Sequence, residues 1–518
     1  MAFSQIIQTG VMRGRYSKGV QGEKDLGKEL KRKTGIFFSL VLYFIYAVLL
    51  MIRTKVLVEN YGSEVNAVFQ TASQIFAYFC LIESGMSMAY QFKLYEPVNH
   101  NNTERIAALF MGLKKSMKKI SAKMLAVLTG ITLIYPFIMD RVSLSAAEAG
   151  GMLFLLGLRL VIPYFTSMAS KALLNVYDYK YLLDLLDSMA YIAIALAELF
   201  SASVLHLPIH MILLMGCVGN IIMGIVYGAL LERLCKEIKG KKADPDFGPE
   251  EMTGDILFLR IAGLLNSSID MIILSIVNIM LVTPYQAYNT ITSHIATTVN
   301  KIDENYRTKI GLKIESREPD LYEYFQAFMS LHMIIAIISV SVFASNINNL
   351  VCLWLGKEFQ LSNVCVGLMS VYLIHLTTRD ILYLIRDGAG LYKESKWLSF
   401  WEGMANLILS VLLVRYWGIE GVLSATVFAT FVLFIPRNAE LVYGVMGRKN
   451  TLWTDYLIIG IASLLLTGCF RKIYGGSYCT SWTEFLLKVL GESVISVAGS
   501  FITVIPFKWK YVSKLLKR

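Results

Sequence analysis

The sequence predicts an all-α, polytopic membrane protein of about 14 transmembrane helices, arranged as two six-helix bundles in a parallel pseudo-repeat plus a C-terminal helix pair. Three observations predict it. Apolar runs of about 20 residues, the length that crosses ~30 Å of hydrocarbon as a helix, alternate with short polar links. Lys and Arg gather in every second link. The 518 residues are 55% hydrophobic and only 17% charged, where soluble domains carry about a quarter.

In chain order the apolar runs fall at 34–53, 65–88, 121–139, 149–170, 184–204, 210–231, 255–282, 284–304, 325–346, 363–385, 397–416, 419–440, 453–470 and 486–507. With the N-terminus in the cytoplasm, the inner links and their flanks hold 38 of the 49 Lys and Arg, and the outer links hold 8. That asymmetry sets both termini inside and requires an even number of crossings. The remaining three arginines, Arg159, Arg260 and Arg379, fall within spans.

The net charge of +11 is spread over many short inner links. It therefore reports topology and argues against nucleic acid, while placing the inner links against anionic membrane lipids. The basic stretch Arg105–Lys123 reads either as an amphipathic surface helix or as a solvated connector. Residues 1–33 are basic and have no apolar core of signal-peptide type, so no cleavage is expected. The seven cysteines form no CxxC or His/Cys cluster, which speaks against a metal site. Cys352 and Cys365, and Cys469 and Cys479, lie near the expected outer face and could pair, and free thiols are the simpler reading.

The chain divides into a cytoplasmic tail (1–33), an N-terminal bundle (34–231), a charged linker with Gly240, Pro245, Gly248 and Pro249 (232–254), a C-terminal bundle (255–440) and a final helix pair with a basic tail (441–518). Two internal echoes support the repeat. Phe69-Gln70-Thr71-Ala72-Ser73 in the second span resembles Tyr288-Asn289-Thr290-Ile291-Thr292 in the eighth, and Asp187-Ser188-Met189-Ala190 resembles Glu402-Gly403-Met404-Ala405. Both relate span n to span n+6, which preserves direction across the membrane, one of the usual transporter plans.

Candidate function lies in polar residues where lipid excludes them. In the seventh span Arg260, Gly263, Ser267 and Asp270 share one helical face, followed by Asn278. The eighth span is more polar still, with Gln286, Asn289, Thr290, Thr292, Ser293, His294, Thr297, Thr298, Asn300, Lys301 and Asp303. The charge alternation nevertheless requires a crossing here, so this helix must line water or be buried in protein. The second span carries a milder stripe through Asn66, Gln70 and Ser73. A central cavity walled by both halves accounts for the two stripes, with Gln70, Ser267, Asn289, Ser293 and Asn300 as cargo contacts.

Arg159, Arg260 and Arg379 have two readings: a cationic lumen for a phosphate or carboxylate cargo, or structural ion pairs. Asp270, the deepest carboxylate, is the candidate site for a coupling H+ or Na+. Asp303, Asp187, Glu83 and Glu402 lie near span ends, where capping or pairing is the commoner role. His294, His332 and His375 read as proton shuttles or as hydrogen-bonded structural groups. GxxxxGK[ST], HExxH and GxSxG motifs are absent, so neither a nucleotide motor nor these hydrolytic chemistries are expected, and the chain reads as a transporter, not an enzyme.

Tyr61-Gly62-Ser63-Glu64 and Leu81-Ile82-Glu83-Ser84-Gly85-Met86 around the second span resemble the opening signature of bacterial polysaccharide flippases, the translocators of O-antigen and capsule repeat units. Ala389-Gly390-Leu391-Tyr392-Lys393, Glu402, Asn406-Leu407-Ile408-Leu409-Ser410 and Gly418-Ile419-Glu420-Gly421, followed by Ala425-Thr426, resemble the same family around its helices 10 to 12. That family belongs to the multidrug/oligosaccharidyl-lipid/polysaccharide exporter superfamily. The resemblance implies alternating access in the bacterial cytoplasmic membrane. It also implies an undecaprenyl-diphosphate-linked oligosaccharide as cargo, moved from the inner to the outer leaflet, with a polysaccharide polymerase as a possible partner. The first span has no acid between Thr34 and Met51, unlike the lipid II flippases. Two readings compete: a cation-coupled multidrug antiporter of the same fold, and a membrane polymerase or acyltransferase, which would need a large outer loop or a His/acid constellation.

Overall fold

The computed structural model describes residues 41–42, 44–79, 83, 86–140, 143–177, 179–235, 244–246, 261, 268–304, 310, 314, 320–475 and 478–516. Among these it is all-α, with no strand. The helices are α1 (44–61), α2 (Ser63–Ala77), α3 (Met86–Asn99), α4 (Thr103–Ile138), α5 (Ala146–Thr166), α6 (Met168–Val176), α7 (Lys180–Ser203), α8 (Ile209–Leu234), α9 (Ser268–Val277), α10 (Val282–Glu304), α11 (Leu321–Trp354), α12 (Asn363–Gly388), α13 (Tyr392–Phe428), α14 (Ile435–Val445), α15 (Leu452–Tyr474) and α16 (Trp482–Leu516). Eight helical stretches among the described residues are long and apolar enough to cross a membrane, and the chain is a multi-pass membrane protein. α10 is not one of the eight, in keeping with its polar composition.

Two expected spans change shape. The second, 65–88, is divided: α2 ends at Ala77, Tyr78 is a turn, and α3 begins at Met86. The basic stretch 105–123 and the third span instead form one continuous helix, α4, of 36 residues.

Contacts divide the chain into two compact units. The first comprises residues 1–61, 79–136 and 146–252. Within it α5 and α7 pack along α8, and α3 packs on α6. Gly112 on α4 admits a piece of the linker. The Asp246 carbonyl oxygen would lie 1.9 Å from a Cβ placed there. The Asp246 N–H donates to the Ala108 carbonyl at 3.1 Å, and its carboxylate pairs with Arg105 at 2.6 Å. Gly112→Val is therefore expected to expel 244–246 at a cost of about 1–3 kcal/mol. Limited proteolysis at the linker lysines should accelerate several-fold, and an unchanged rate would show that the strap does not restrain the linker.

The second unit comprises residues 62–78, 137–145 and 253–518. The short piece 137–145 is held there by carboxylates. Glu64 accepts from the Ser143 N–H at 2.7 Å, from the Ser143 hydroxyl and from the Leu144 N–H at 3.3 Å. Asp140 accepts from the Ile279 N–H at 3.2 Å. α11 is central, packed by α12, α15 and α16, while α10 lies against α12 and α2.

α13 is a hairpin rather than one rod. Thr426 Oγ1 lies 3.1 Å from Asn406 Oδ1 and Thr430 donates to Glu402 at 2.9 Å, yet 20 residues of straight helix span about 30 Å. The chain reverses at Gly418, whose φ of 52° suits glycine because it has no Cβ to clash. Gly421 allows the returning helix to close in, since a Cβ there would lie 2.5 Å from the Leu413 carbonyl oxygen. The Gly-x-x-Gly pattern read in the sequence is the corner of this hairpin, and the expected spans 397–416 and 419–440 are its two arms.

Candidate functional site

α10 segregates its side chains by face. Tyr285, Tyr288, Thr292, Ala296, Val299 and Asp303 are buried and lie within about 80° of arc at 100° per residue. Gln286, Thr290, His294, Thr297 and Lys301 are half-buried and Ser293 and Thr298 exposed on the other side, half-buried Asn289 borders the buried arc, and Thr283 and Ala287 in the first turns are buried on that other side as well. Several hydroxyls on that side return to their own backbone: Thr290 donates to the Gln286 carbonyl, Thr297 to Ser293 and Thr298 to His294, each at 2.8 Å. These bonds stabilise the helix at positions of low helix propensity and leave the oxygen lone pairs available to a ligand.

α2 meets α10 through a short polar chain. Gln70 donates to Asn66 at 3.4 Å, Asn66 to Thr283 at 3.1 Å, and Thr283 to the Ser63 carbonyl at 2.9 Å. The two helices linked by the sequence echo are thus packed together in one unit, with Gln70 half-buried one turn along from the contact.

Asp270 lies on α9, eight residues or about 12 Å of helix from the turn at Asn278. It is 6% exposed. Its carboxylate accepts from the Tyr285 hydroxyl at 2.9 Å, the Thr426 hydroxyl at 3.1 Å and the Asn406 amide at 3.3 Å. Thr426 Oγ1 also lies 3.1 Å from Asn406 Oδ1 and 3.1 Å from the Val422 carbonyl. One hydroxyl hydrogen cannot serve three acceptors. The cluster therefore has more oxygen lone pairs than hydrogens, the arrangement that receives a proton or a hard monovalent cation.

Arg379 on α12 stands at the other end of α10. It is paired with Asp380 at 3.5 Å, its side chain is 32% exposed, and Asn300 of α10 hydrogen-bonds the same Asp380. Its buried Nε makes no hydrogen bond among the described residues. Tyr372, Tyr383 and Glu402 are its electrostatic neighbours.

Arg159 belongs to the other unit. Glu198, 3% exposed, takes Arg159 at 2.6 Å and Arg53 at 3.1 Å. The guanidinium is seated over Gly216, where a Cβ would come within 2.8 Å of it. Arg159 is thus ion-paired within its own unit. Glu198→Ala leaves two guanidinium groups without their shared partner. It is expected to destabilise the protein by about 3–5 kcal/mol, read as a lowered melting temperature in detergent; an unshifted melting temperature would show the triad to be dispensable.

Arg260 and Ser267 lie outside the described residues. Asn289, Ser293 and Asn300 share α10, Gln70 reaches it through Asn66, Arg379 meets it through Asp380, and Asp270 meets it at Tyr285. Tyr285 was not singled out in the sequence, and Asn406 and Thr426 carried only the family resemblance. The signal available for Asn406 was its i, i+4 spacing to Ser410, which donates to it at 3.2 Å. The six described cysteines are free thiols, so Cys352–Cys365 and Cys469–Cys479 are not bridged.

The arrangement of helices is similar to that of solved membrane transporters. Three solved structures carry this likeness. A lipid II flippase, MurJ, in an inward closed conformation aligns with a TM-score of 0.64 and 15% identity, covering 90% of this chain and 98% of its own. The MATE multidrug transporter DinF-BH gives 0.53 and 14%, covering 84% of this chain and all (100%) of its own. An outward-facing MATE family transporter of the MOP superfamily gives 0.50 and 11%, covering 80% and 95%. At these identities the likeness is one of fold. The sequence matches no family model and no curated relative.

Proposed function

We propose that this chain is a flippase that moves an undecaprenyl-diphosphate-linked oligosaccharide from the inner to the outer leaflet of the bacterial cytoplasmic membrane by alternating access. Both termini are cytoplasmic in this reading, as the distribution of Lys and Arg requires. The observation that carries it is the open face of α10. Amides and hydroxyls along a membrane-length helix suit the hydroxyls of a sugar chain, and they are costly in lipid unless such a ligand or water meets them. Arg379, with spare donor capacity, supplies a contact for the diphosphate. Asp270, Asn406 and Thr426 hold the coupling ion, H+ or Na+. The polysaccharide polymerase that would take the delivered repeat unit, and anionic lipids around the inner links, are the partners.

The multidrug antiporter remains the second reading, favoured by the MATE structures and by an acid site alone. The greater coverage of this chain by the MurJ structure, and neutral hydroxyls in place of an aromatic, acidic face, support the flippase. Deletion of the gene in its host separates the two. The flippase reading expects loss of one surface polysaccharide with drug susceptibility unchanged; the antiporter reading expects the converse.

A further inference from the structure

At the end of α10 remote from the 278–281 turn, three helices bring four ionisable side chains together. Asp303 lies on α10, His332 faces it from α11, and Asp380 with Arg379 comes from α12. Asp303 and His332 are each 1% exposed and Asp380 5%. His332 Nδ1 lies 2.9 Å from the Phe328 carbonyl oxygen, and Nε2 lies 2.9 Å from Asp303 Oδ2. A carbonyl oxygen only accepts, so Nδ1 carries a hydrogen. The Nε2 contact then has two bonded forms: an imidazolium donating to a carboxylate, or a neutral ring accepting from a carboxylic acid. Both hold one proton more than a neutral ring beside an ionised acid. Removing that proton leaves two acceptors facing each other at hydrogen-bond distance, and attraction becomes repulsion.

The surroundings raise the stakes. With the shared proton, Asp303, His332, Asp380 and Arg379 sum to zero; without it they sum to a net negative charge around two buried carboxylates, which desolvation opposes, with Arg379 about a third exposed. Asp303 Oδ1 and Asp380 Oδ2 are buried and make no hydrogen bond among the described residues. Lys301 lies on the last turn of α10 and is half-buried. On α12, Arg386 is paired with Asp387, and His375 lies among aromatic rings. Asp455 of α15 is paired with Lys508 of α16, and that lysine donates to Gln326, six residues from His332. Lys488 and Glu492 of α16 meet α11 at Ser345 and Asn346. Glu402 of α13 faces Arg379.

We propose that Asp303 and His332 form a proton-binding site, distinct from the Asp270 cluster, whose filling holds α10 to α11 and whose emptying releases α10. The two sites stand about 27 Å apart along α10, taking 18 residues from Tyr285 to Asp303 at 1.5 Å each, with the open polar face between them. The role of the proton in transport rests on the flippase reading; its binding does not.

The test uses the purified full-length chain in phosphatidylethanolamine/phosphatidylglycerol liposomes. Infrared difference spectra between about pH 5 and about pH 8, the range in which imidazole titrates, are expected to show carboxyl and imidazole bands that vanish in Asp303→Asn and in His332→Gln. The double variant Asp303→Asn/His332→Gln keeps an amide–amide hydrogen bond and should fold with the same loss. Bands that persist in both single variants would overturn the site. In inside-out vesicles from a deletion host carrying accumulated glycolipid, stimulation of glycan movement by an imposed pH gradient should fall at least about tenfold in either variant. An undiminished response would overturn the coupling. Titrating bands with no glycan movement by the wild-type chain would reject the flippase reading and leave the proton site standing.

Discussion

Asp270→Asn is expected to abolish ion coupling while leaving the protein folded. The amide turns one acceptor oxygen of the cluster into a donor and removes the only formal charge among Tyr285, Asn406, Ser410 and Thr426. It also lifts the cost of keeping a carboxylate away from water, so the melting temperature should hold or rise. Cargo movement driven by a sodium or pH gradient should fall by about 5–150-fold, the range of typical coupling energies. A direct check needs no cargo. A cation that binds only the folded chain raises the melting temperature by mass action. The wild-type chain should therefore show a shift with added Na+ or lowered pH that Asp270→Asn lacks, and Thr426→Val should weaken. An identical response in wild type and Asp270→Asn would assign Asp270 a structural role.

Ser293→Trp should block transport with little effect on stability. Ser293 is exposed on the open face of α10, so an indole there displaces no neighbour, and substitutions at such positions usually change stability by only about 0.5 kcal/mol or less. If the sugar chain passes along this face, the indole removes space and hydrogen-bonding partners together. Loss of at least about tenfold in glycan movement, equivalent to about 1.4 kcal/mol, is expected. Thr292→Val, on the buried side of the same helix, is the contrast: its effect should appear in the melting temperature. Normal transport by Ser293→Trp would detach the polar face from the cargo path.

The crossings were legible because lipid imposes a length and topology imposes a charge bias, both local in sequence. The polar second and eighth spans echo each other in sequence, and in the structure Asn66 of one meets Thr283 of the other. Breaks inside helices were harder to see. Tyr78 interrupts α2 in an apolar run without Pro or Gly at that position, and the basic stretch before the third span continues as helix because Lys is a good helix former. The Asp270 cluster was half legible. Asp270 stood out as a deep acid, but its partners are 15, 136 and 156 residues away, and only the hairpin at Gly418 brings Asn406 and Thr426 together. In the sequence Asp303 reads as a capping or pairing residue near a span end, and His332 as either a proton shuttle or a structural group. Their pairing depends on the packing of α10 against α11, which periodicity does not encode. For Arg159 the sequence offers both a cargo contact and an ion pair without naming the partner, and the structure places Glu198, 39 residues on, beside it.

The central claim is that the polar face of α10 carries a lipid-linked glycan between leaflets. The most direct measurement is of the glycolipid in a host deleted for this gene. Extraction and sidedness labelling should find a complete diphosphate-linked repeat unit accumulating on the inner leaflet, cleared by the wild-type gene and not by Ser293→Trp. A deletion host with no accumulated glycolipid and normal surface polysaccharide would contradict the account.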